Sequence, residues 1–493
     1  MFAEVSLDKW LHSELSLDLH RCEASRHERS EPVLIVGGTV VDVDGERRAD
    51  VRIGDDGRIA EVGADLPARN GETVHDASGK YVIPGGVDAH THLHLELGAV
   101  SVSDDVASGT AAAACGGTTT VIEYVTANRG QRPLDALAIW RSKVEGAAID
   151  YGFHMTFTEA ITEGDVADCV EEGITSFKLY MAYPDSLQVD DGVIVDVLKA
   201  TGKHGGLVTI HAENGSAISS LQREALLAGR TGVIEHSRTR PAILEGEATA
   251  RAALLAEMVG APIYIVHLSS APALAAVRAA QERGVDVRAE TCPQYLHLDT
   301  VDLERLDGEN FVCTPPLRDS WHREELWEGL GRGWLHTVAT DHCPFWMHDR
   351  RIGTMGRPEG WENFTEIPGG LPGIETRLTL VWAGVRAGHI SIADWVRLCA
   401  EAPARTFGLW PRKGALRPGF DADVVVWDPN REQALDADAL HMRTDHSPYA
   451  GQVAIGWPSL VMLRGKVVAD DGRFVGQTGW GRYQARDQVF HAP

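Results

Sequence analysis

Residues 82–92 read VIPGGVDAHTH: an apolar run broken by Pro84-Gly85-Gly86, a second short apolar run, then two histidines flanking a threonine. Seven further apolar runs follow at helix-sized intervals: TTTVIEYV (118–125), YGFHMTFTE (151–159), ITSFKLYMAY (174–183), LVTIHAEN (207–214), PIYIVHLSS (262–270), VDVRAETCPQY (285–295) and LHTVATDHCPF (335–345). Between them lie stretches such as PLDALAIWRSKVEGA (133–147) and APALAAVRAAQERG (271–284), apolar at helical spacing and closed by a glycine or another stop. Near-continuous apolar strands alternating with helices predict a parallel sheet covered on both faces, and eight of them predict a TIM (β/α)8 barrel. Polar residues gather at the C-terminal ends of these runs, where barrel enzymes keep their active sites.

The two ends of the chain have a different texture. VLIVGGTVVDV (33–43), ADVRIGDDGRIAEVG (49–63) and ETVHDASGKYVIPG (72–85) are short alternating runs, with turn signals at Asp56-Gly57 and Ser78-Gly79 that predict antiparallel hairpins. Similar runs return in ADVVVWDP (422–429) and SLVMLRGKVVADDGRF (459–474). The expected organisation is a polar extension over 1–31 with a short helix near 7–17, and a small composite β-sandwich domain from 32–83 and 415–475. The barrel is expected over 84–414, and a tail over 476–493 that packs on a neighbouring subunit.

At 493 residues and 44% hydrophobic, the chain suits a large barrel with a satellite domain. A formal net charge of −25 argues against nucleic acid or an anionic membrane as a partner. The seven cysteines are dispersed without CxxC pairs, which predicts reduced thiols and a cytoplasmic protein. The first 31 residues mix charges throughout and lack the apolar core of a secretory signal, and no run of eighteen apolar residues occurs.

Six residues at the polar ends of the apolar runs form one constellation: His90, His92, Lys178, His211, His267 and Asp341. His90 and His92 are two apart on a strand and point to the same face. His211 closes LVTIH, His267 closes IYIVH, and Asp341 follows VAT, where burial demands a partner or a metal. Lys178 sits among apolar and aromatic neighbours in SFKLYMAY, a costly place for an ammonium. An ammonium has no lone pair for a metal, so Lys178 joins the set as a ligand only after CO2 has made it a carbamate. Four histidines, a lysine and an aspartate are then the inventory of a two-metal hydrolase, in which an activated hydroxide attacks an amide-type carbonyl.

These residues lie within a longer run of motifs. VIPGGVDAHTHL, SDD followed by GTAAAACGGTTTVIEY, SFKLYMAY, HAENG, EGEA, IVHLSS, AETCPQYL, TPPLR, TDHCPF and IPGGLPGIETR occur in that order from about Val33 to Phe474. The chain resembles the dihydropyrimidinase/hydantoinase family of cyclic amidohydrolases. The resemblance implies two divalent ions, zinc in most relatives. His90, His92 and Asp341 would hold the more buried ion and His211 and His267 the other, with carbamylated Lys178 and a hydroxide bridging them. It further implies Asp341 as the proton carrier and Tyr183 as hydrogen-bond donor to the oxyanion. Backbone atoms at Thr314, where the family often has serine, and Gly369, where hydantoinases often have asparagine, would hold the substrate ring.

The expected substrate is a small cyclic amide, a dihydropyrimidine or 5-substituted hydantoin, opened to an N-carbamoyl amino acid. The expected assembly is a homotetramer by analogy. The loop after the first barrel strand departs from its relatives: His94 and Glu96 stand where the family commonly continues with D-M-P-F, and predict a more polar pocket for the substituent outside the ring. The loop MHDRRIGTMGRPEGWENF (347–364) offers another pocket wall. Dihydroorotase is the nearest rival, but its family places an arginine where His94 stands. Allantoinase lacks its Asn-Glu-Pro-Gly run here. A non-catalytic scaffold relative would lose ligands that this chain keeps, and a mononuclear deaminase would not need the lysine.

Overall fold

The computed structural model describes residues 31–97, 100–184, 186–347 and 362–488. The short helix expected near 7–17 and most of the 347–364 loop lie outside those residues. Eight parallel strands run in chain order around one sheet: Gly86–Thr91, Thr118–Thr126, Asp150–Thr156, Ser176–Tyr180, Leu207–His211, Ile263–Ile265, Val287–Thr291 and Thr337–Val338. Helices alternate with them and cover the outer face, as the rhythm of the sequence predicts. The helix Asp191–His204 shows why such segments form where they do. The Asp190 carboxylate caps it by accepting the Val193 N–H (3.0 Å), Ile194, Val197, Leu198 and Thr201 make its buried stripe, and Gly205 ends it at φ 69°. Inside the barrel Val87, Ala89, Ile122, Leu207 and Tyr264 pack with Phe407 and Leu409.

The seam between the first and eighth strands has little ladder. A single bridge, Thr91 with His342, joins them, together with Asp341 N–H to His90 O (3.0 Å) and His92 N–H to His342 O (2.8 Å). Side chains supply the rest. The fully buried Arg377 donates to Val87 O and Val338 O (both 3.0 Å) and to Thr118 Oγ1 (3.1 Å), while Asp88 accepts from Thr340 Oγ1 (2.7 Å) and Thr340 N–H (3.1 Å).

Two smaller sheets draw on both ends of the chain. One has the order 59–63, 50–53, 33–36, 73–76; the other runs 473–474, 466–470, 453–463, 424–434, 81–84, 39–42, 45–48. Their shared core contains Val33, Ile35, Val51 and Ile53 from the first, and Val40, Val82, Val424 and Met462 from the second. The hairpin expectation holds for 39–48 and 50–63 but fails at Ser78-Gly79. There the chain leaves the first sheet for the second, because 73–76 pairs in parallel with 33–36 and 81–84 in parallel with 39–42.

The described part of the tail lies against its own barrel. Tyr151 donates its N–H to Arg482 O (3.1 Å) and accepts from Gln484 N–H (2.7 Å), and the buried Arg486 donates to Ser176 Oγ (2.7 Å) and Phe153 O. At the same end, Asp150 is fully buried and accepts from Lys413 Nζ (2.6 Å), Gln484 Nε2 (3.0 Å), the Arg482 N–H (2.9 Å) and Arg464. Lys413 also reaches Asp423 (2.8 Å) and Asp421 (3.0 Å). One ion cluster thus ties the third barrel strand to the small sheets and the tail. Removing one partner of a buried charge network leaves the others unpaired. Lys413→Met is therefore expected to cost about 3–5 kcal/mol, read as a lower urea midpoint; a loss below about 1 kcal/mol would show that the cluster is dispensable.

Candidate metal centre

The mouth of the barrel brings all six constellation residues together. His90 lies in the first strand, His92 one residue past its end, Lys178 in the middle of the fourth, and His211 last in the fifth. His267 and Asp341 follow their strands by two and three residues, in left-handed backbone conformations (φ 38° and 52°) that turn them inward. Asp341 Oδ1 lies 3.1 Å from both His90 Nε2 and His92 Nε2, and His211 Nδ1 lies 2.9 Å from His267 Nε2. The His90 and His267 rings, 5.3 Å apart at their centroids, join the two groups. Lys178 Nζ sits 5.0 Å from the ring centres of both Tyr124 and Tyr180, fully buried and without a hydrogen-bond partner.

Two carboxylates outside the cluster set the tautomers of two of the histidines. His90 Nδ1 donates to Glu290 (2.5 Å), which leaves Nε2 as the lone-pair nitrogen facing Asp341. His211 Nε2 donates to Glu213 (2.9 Å), which leaves Nδ1 facing His267. Glu213 is itself held by Arg240 (2.8 Å), whose guanidinium lies 5.6 Å from the Tyr183 ring centre.

The electrostatics follow from burial. Loss of water pushes the Lys178 amine down to about 7 and His267 well below its ordinary value. Burial would raise Asp341, but its imidazole neighbours His90 and His92 hold its carboxyl well below the usual range. Burial pushes the Tyr183 hydroxyl up to about 12 despite the opposing charge of Arg240. Asp341, expected to be buried, keeps 13% of its side chain exposed because it faces the open mouth.

Tyr183, Thr314 and Gly369 also converge. The Tyr183 ring lies 5.3 Å from the His211 ring and its side chain interacts with that of Thr314. A Cβ on Gly369 would meet Thr314 Oγ1 at 2.8 Å. His94 and Glu96 stay on the rim. Lys143 Nζ donates to His94 O (3.2 Å) and lies 3.8 Å from the Glu96 carboxylate, which is 69% exposed.

The donor set fits a divalent metal. Ligand atoms of His90, His92 and Asp341 lie within 4.8 Å of one another, and imidazole with carboxylate is a first-row donor set. His90 Nε2, His267 Nδ1 and Lys178 Nζ are buried without a hydrogen-bond partner, a state that protein interiors seldom leave unexplained.

Comparison with known proteins places the chain in a family. Residues 81–468 match the amidohydrolase family. A D-hydantoinase of Streptomyces coelicolor is 43% identical over 468 residues, 93% of this chain and 98% of that protein. The chain belongs to the amidohydrolase family. Within it, the amidohydrolase is similar to a D-hydantoinase of Geobacillus stearothermophilus, 42% identical over 92% of this chain and 96% of that one. The crystal structure of a dihydropyrimidinase from Brevibacillus agri superimposes with a TM-score of 0.90 at 40% identity, covering 93% of this chain and all of that one. An L-hydantoinase from Arthrobacter aurescens superimposes with a TM-score of 0.84 at 29% identity, covering 92% and 99%.

Reading the amidohydrolase's sequence alone missed Glu290, Glu213 and Arg240. Glu290 had a usable signal, an acidic residue inside the apolar strand VRAET, and Glu213 stands two residues past His211. Arg240 had none, since its partners come from other elements.

Proposed function

We propose that the chain hydrolyses the amide C–N bond of a hydantoin or dihydropyrimidine ring: water adds to the carbonyl carbon, the ring nitrogen leaves with a proton, and an N-carbamoyl amino acid results. The observation that carries this reading is the buried, unpartnered Lys178 amine at the centre of a histidine–aspartate cluster. Relatives named D-hydantoinase at 42–43% identity support it. Carbamate formation needs a neutral amine, which loses a proton as its nitrogen bonds to CO2, and burial that pushes Lys178 down to about 7 provides one. When bound, two divalent ions, zinc by analogy with the family, would supply an acidified water and polarise the carbonyl. His90, His92 and Asp341 would hold one, His211 and His267 the other, and carbamylated Lys178 would serve both.

The chain's own residues do the rest. Asp341 takes the proton of the attacking water and returns it to the leaving nitrogen. Tyr183, kept protonated by burial, donates to the developing oxyanion. Backbone atoms at Thr314 and Gly369 hold the ring, and the missing Cβ at Gly369 leaves room for the Thr314 hydroxyl. Among the described residues no helix is long and apolar enough to cross a membrane. The six cysteines among the described residues are free and buried, in keeping with a cytoplasmic setting. The homotetramer is carried by analogy with the family.

A ring-opening panel of hydantoin, dihydrouracil, allantoin and dihydroorotate, run on zinc- and bicarbonate-supplemented protein, tests the reading. Preference for either of the last two overturns it. Lys178→Ala is expected to lower kcat about a thousandfold, roughly 4 kcal/mol, with partial rescue by short-chain carboxylates. Undiminished activity without additives would defeat the two-metal centre. Tyr183→Phe should lower kcat by about 10²–10³ with little change in KM, as loss of an oxyanion donor does. The polar-pocket expectation weakens at Glu96, because Lys143 is its nearer cation. Similar kcat/KM values are therefore expected for phenyl- and aminoalkyl-substituted hydantoins, and a strong aminoalkyl preference would restore Glu96 to the pocket.

A further inference from the structure

Glu290 lies in the seventh strand, which contributes none of the six constellation residues, yet it is fully buried against them. Its Oε1 accepts from His90 Nδ1 (2.5 Å) and from the His267 backbone N–H (3.1 Å), and its Oε2 accepts from the Tyr264 hydroxyl (2.8 Å). Tyr264 is anchored in turn to Thr337 Oγ1 of the eighth strand at 2.5 Å. One carboxylate therefore grips a ring from the His90–His92–Asp341 group and the backbone of a residue from the His211–His267 group. We propose that Glu290 is a positioning residue that aligns both halves of the metal centre at once; this rests on the two-metal reading above.

The physical argument has two parts. An ionised carboxylate only accepts hydrogen bonds, so the contact with His90 Nδ1 keeps the proton on that nitrogen and the lone pair on Nε2, toward Asp341. The second contact fixes the His267 main chain at φ 38°, a conformation that a non-glycine residue holds only when its surroundings enforce it. Glu213 differs: its hydrogen bonds go to the His211 ring and to Arg240. Loss of Glu290 should therefore weaken both ions together.

The test is zinc titration of chelator-stripped full-length protein, using competition with a chromophoric chelator, alongside thermal unfolding of the metal-free chain. The variants are Glu290→Ala and Glu290→Gln. Alanine should lower the affinity for both ions by roughly 10–100-fold, the range found when a carboxylate behind a ligating histidine is removed. Glutamine keeps an oxygen for His90 and His267, and Tyr264 can accept from its amide while donating to Thr337. Glu290→Gln should therefore recover most of the lost affinity. Folded alanine and glutamine variants that bind two zinc ions as tightly as the unaltered protein would overturn the proposal. So would a loss confined to one ion. Should the unaltered protein itself bind fewer than two ions, the two-metal reading fails first, a result separable from failure of the Glu290 role.

Discussion

The seam between the first and eighth strands is the constraint on which the site depends. Parallel strands normally share an extended ladder, but the eighth strand spans only Thr337–Val338 and meets the first through one bridge. Arg377 and Asp88 close the gap from opposite sides, one donating to strand carbonyls and the other accepting from Thr340. His90 and His92 stand on one lip of this seam and Asp341 on the other. The same contacts that close the barrel therefore fix the 3.1 Å approaches of Asp341 to both imidazoles. Barrel closure and assembly of half the metal centre are one event.

Holding six polar side chains at the mouth of an apolar barrel costs solvation, and the structure offsets that cost locally. Glu290 and the Glu213–Arg240 pair give two of the four ligand histidines, His90 and His211, partners on their outer nitrogens. Backbone strain is also found there: of the seven non-glycine residues with left-handed φ among the described residues, Tyr183, His267 and Asp341 lie at the site, with φ of 66°, 38° and 52°. Non-glycine residues in that region cost of order 1–3 kcal/mol each and persist where surrounding contacts enforce them. Their location at three of the residues given chemical roles is where such strain is found in enzymes.

Much of this architecture was legible in the chain. The eight apolar runs marked the barrel strands because a sheet covered on both faces admits little else. The six-residue constellation stood out because polar groups at the ends of such runs need a chemical reason. What stayed hidden depends on distant pairing. Nothing local to Ser78-Gly79 distinguishes a hairpin turn from a passage between two sheets, since the choice is made by strands 33–36 and 39–42. Arg377 and Arg240 look like ordinary charges until the fold surrounds them. The approach of Glu96 to Lys143 stayed hidden too, because Lys143 lies on the distant helix Pro133–Lys143.

The ion cluster around Asp150 bears on how the molecule is made. Asp150 begins the third barrel strand, yet the residues that satisfy its carboxylate arrive much later: Lys413 after 263 further positions and Arg482 after 332. A nascent chain that has emerged through the eighth strand still holds a buried carboxylate without its cations. The (β/α)8 unit thus cannot reach its final state as an independent early product of translation. Its base stays open until the small sheets and the tail are available, and during synthesis that end of the barrel is the part in need of protection from aggregation.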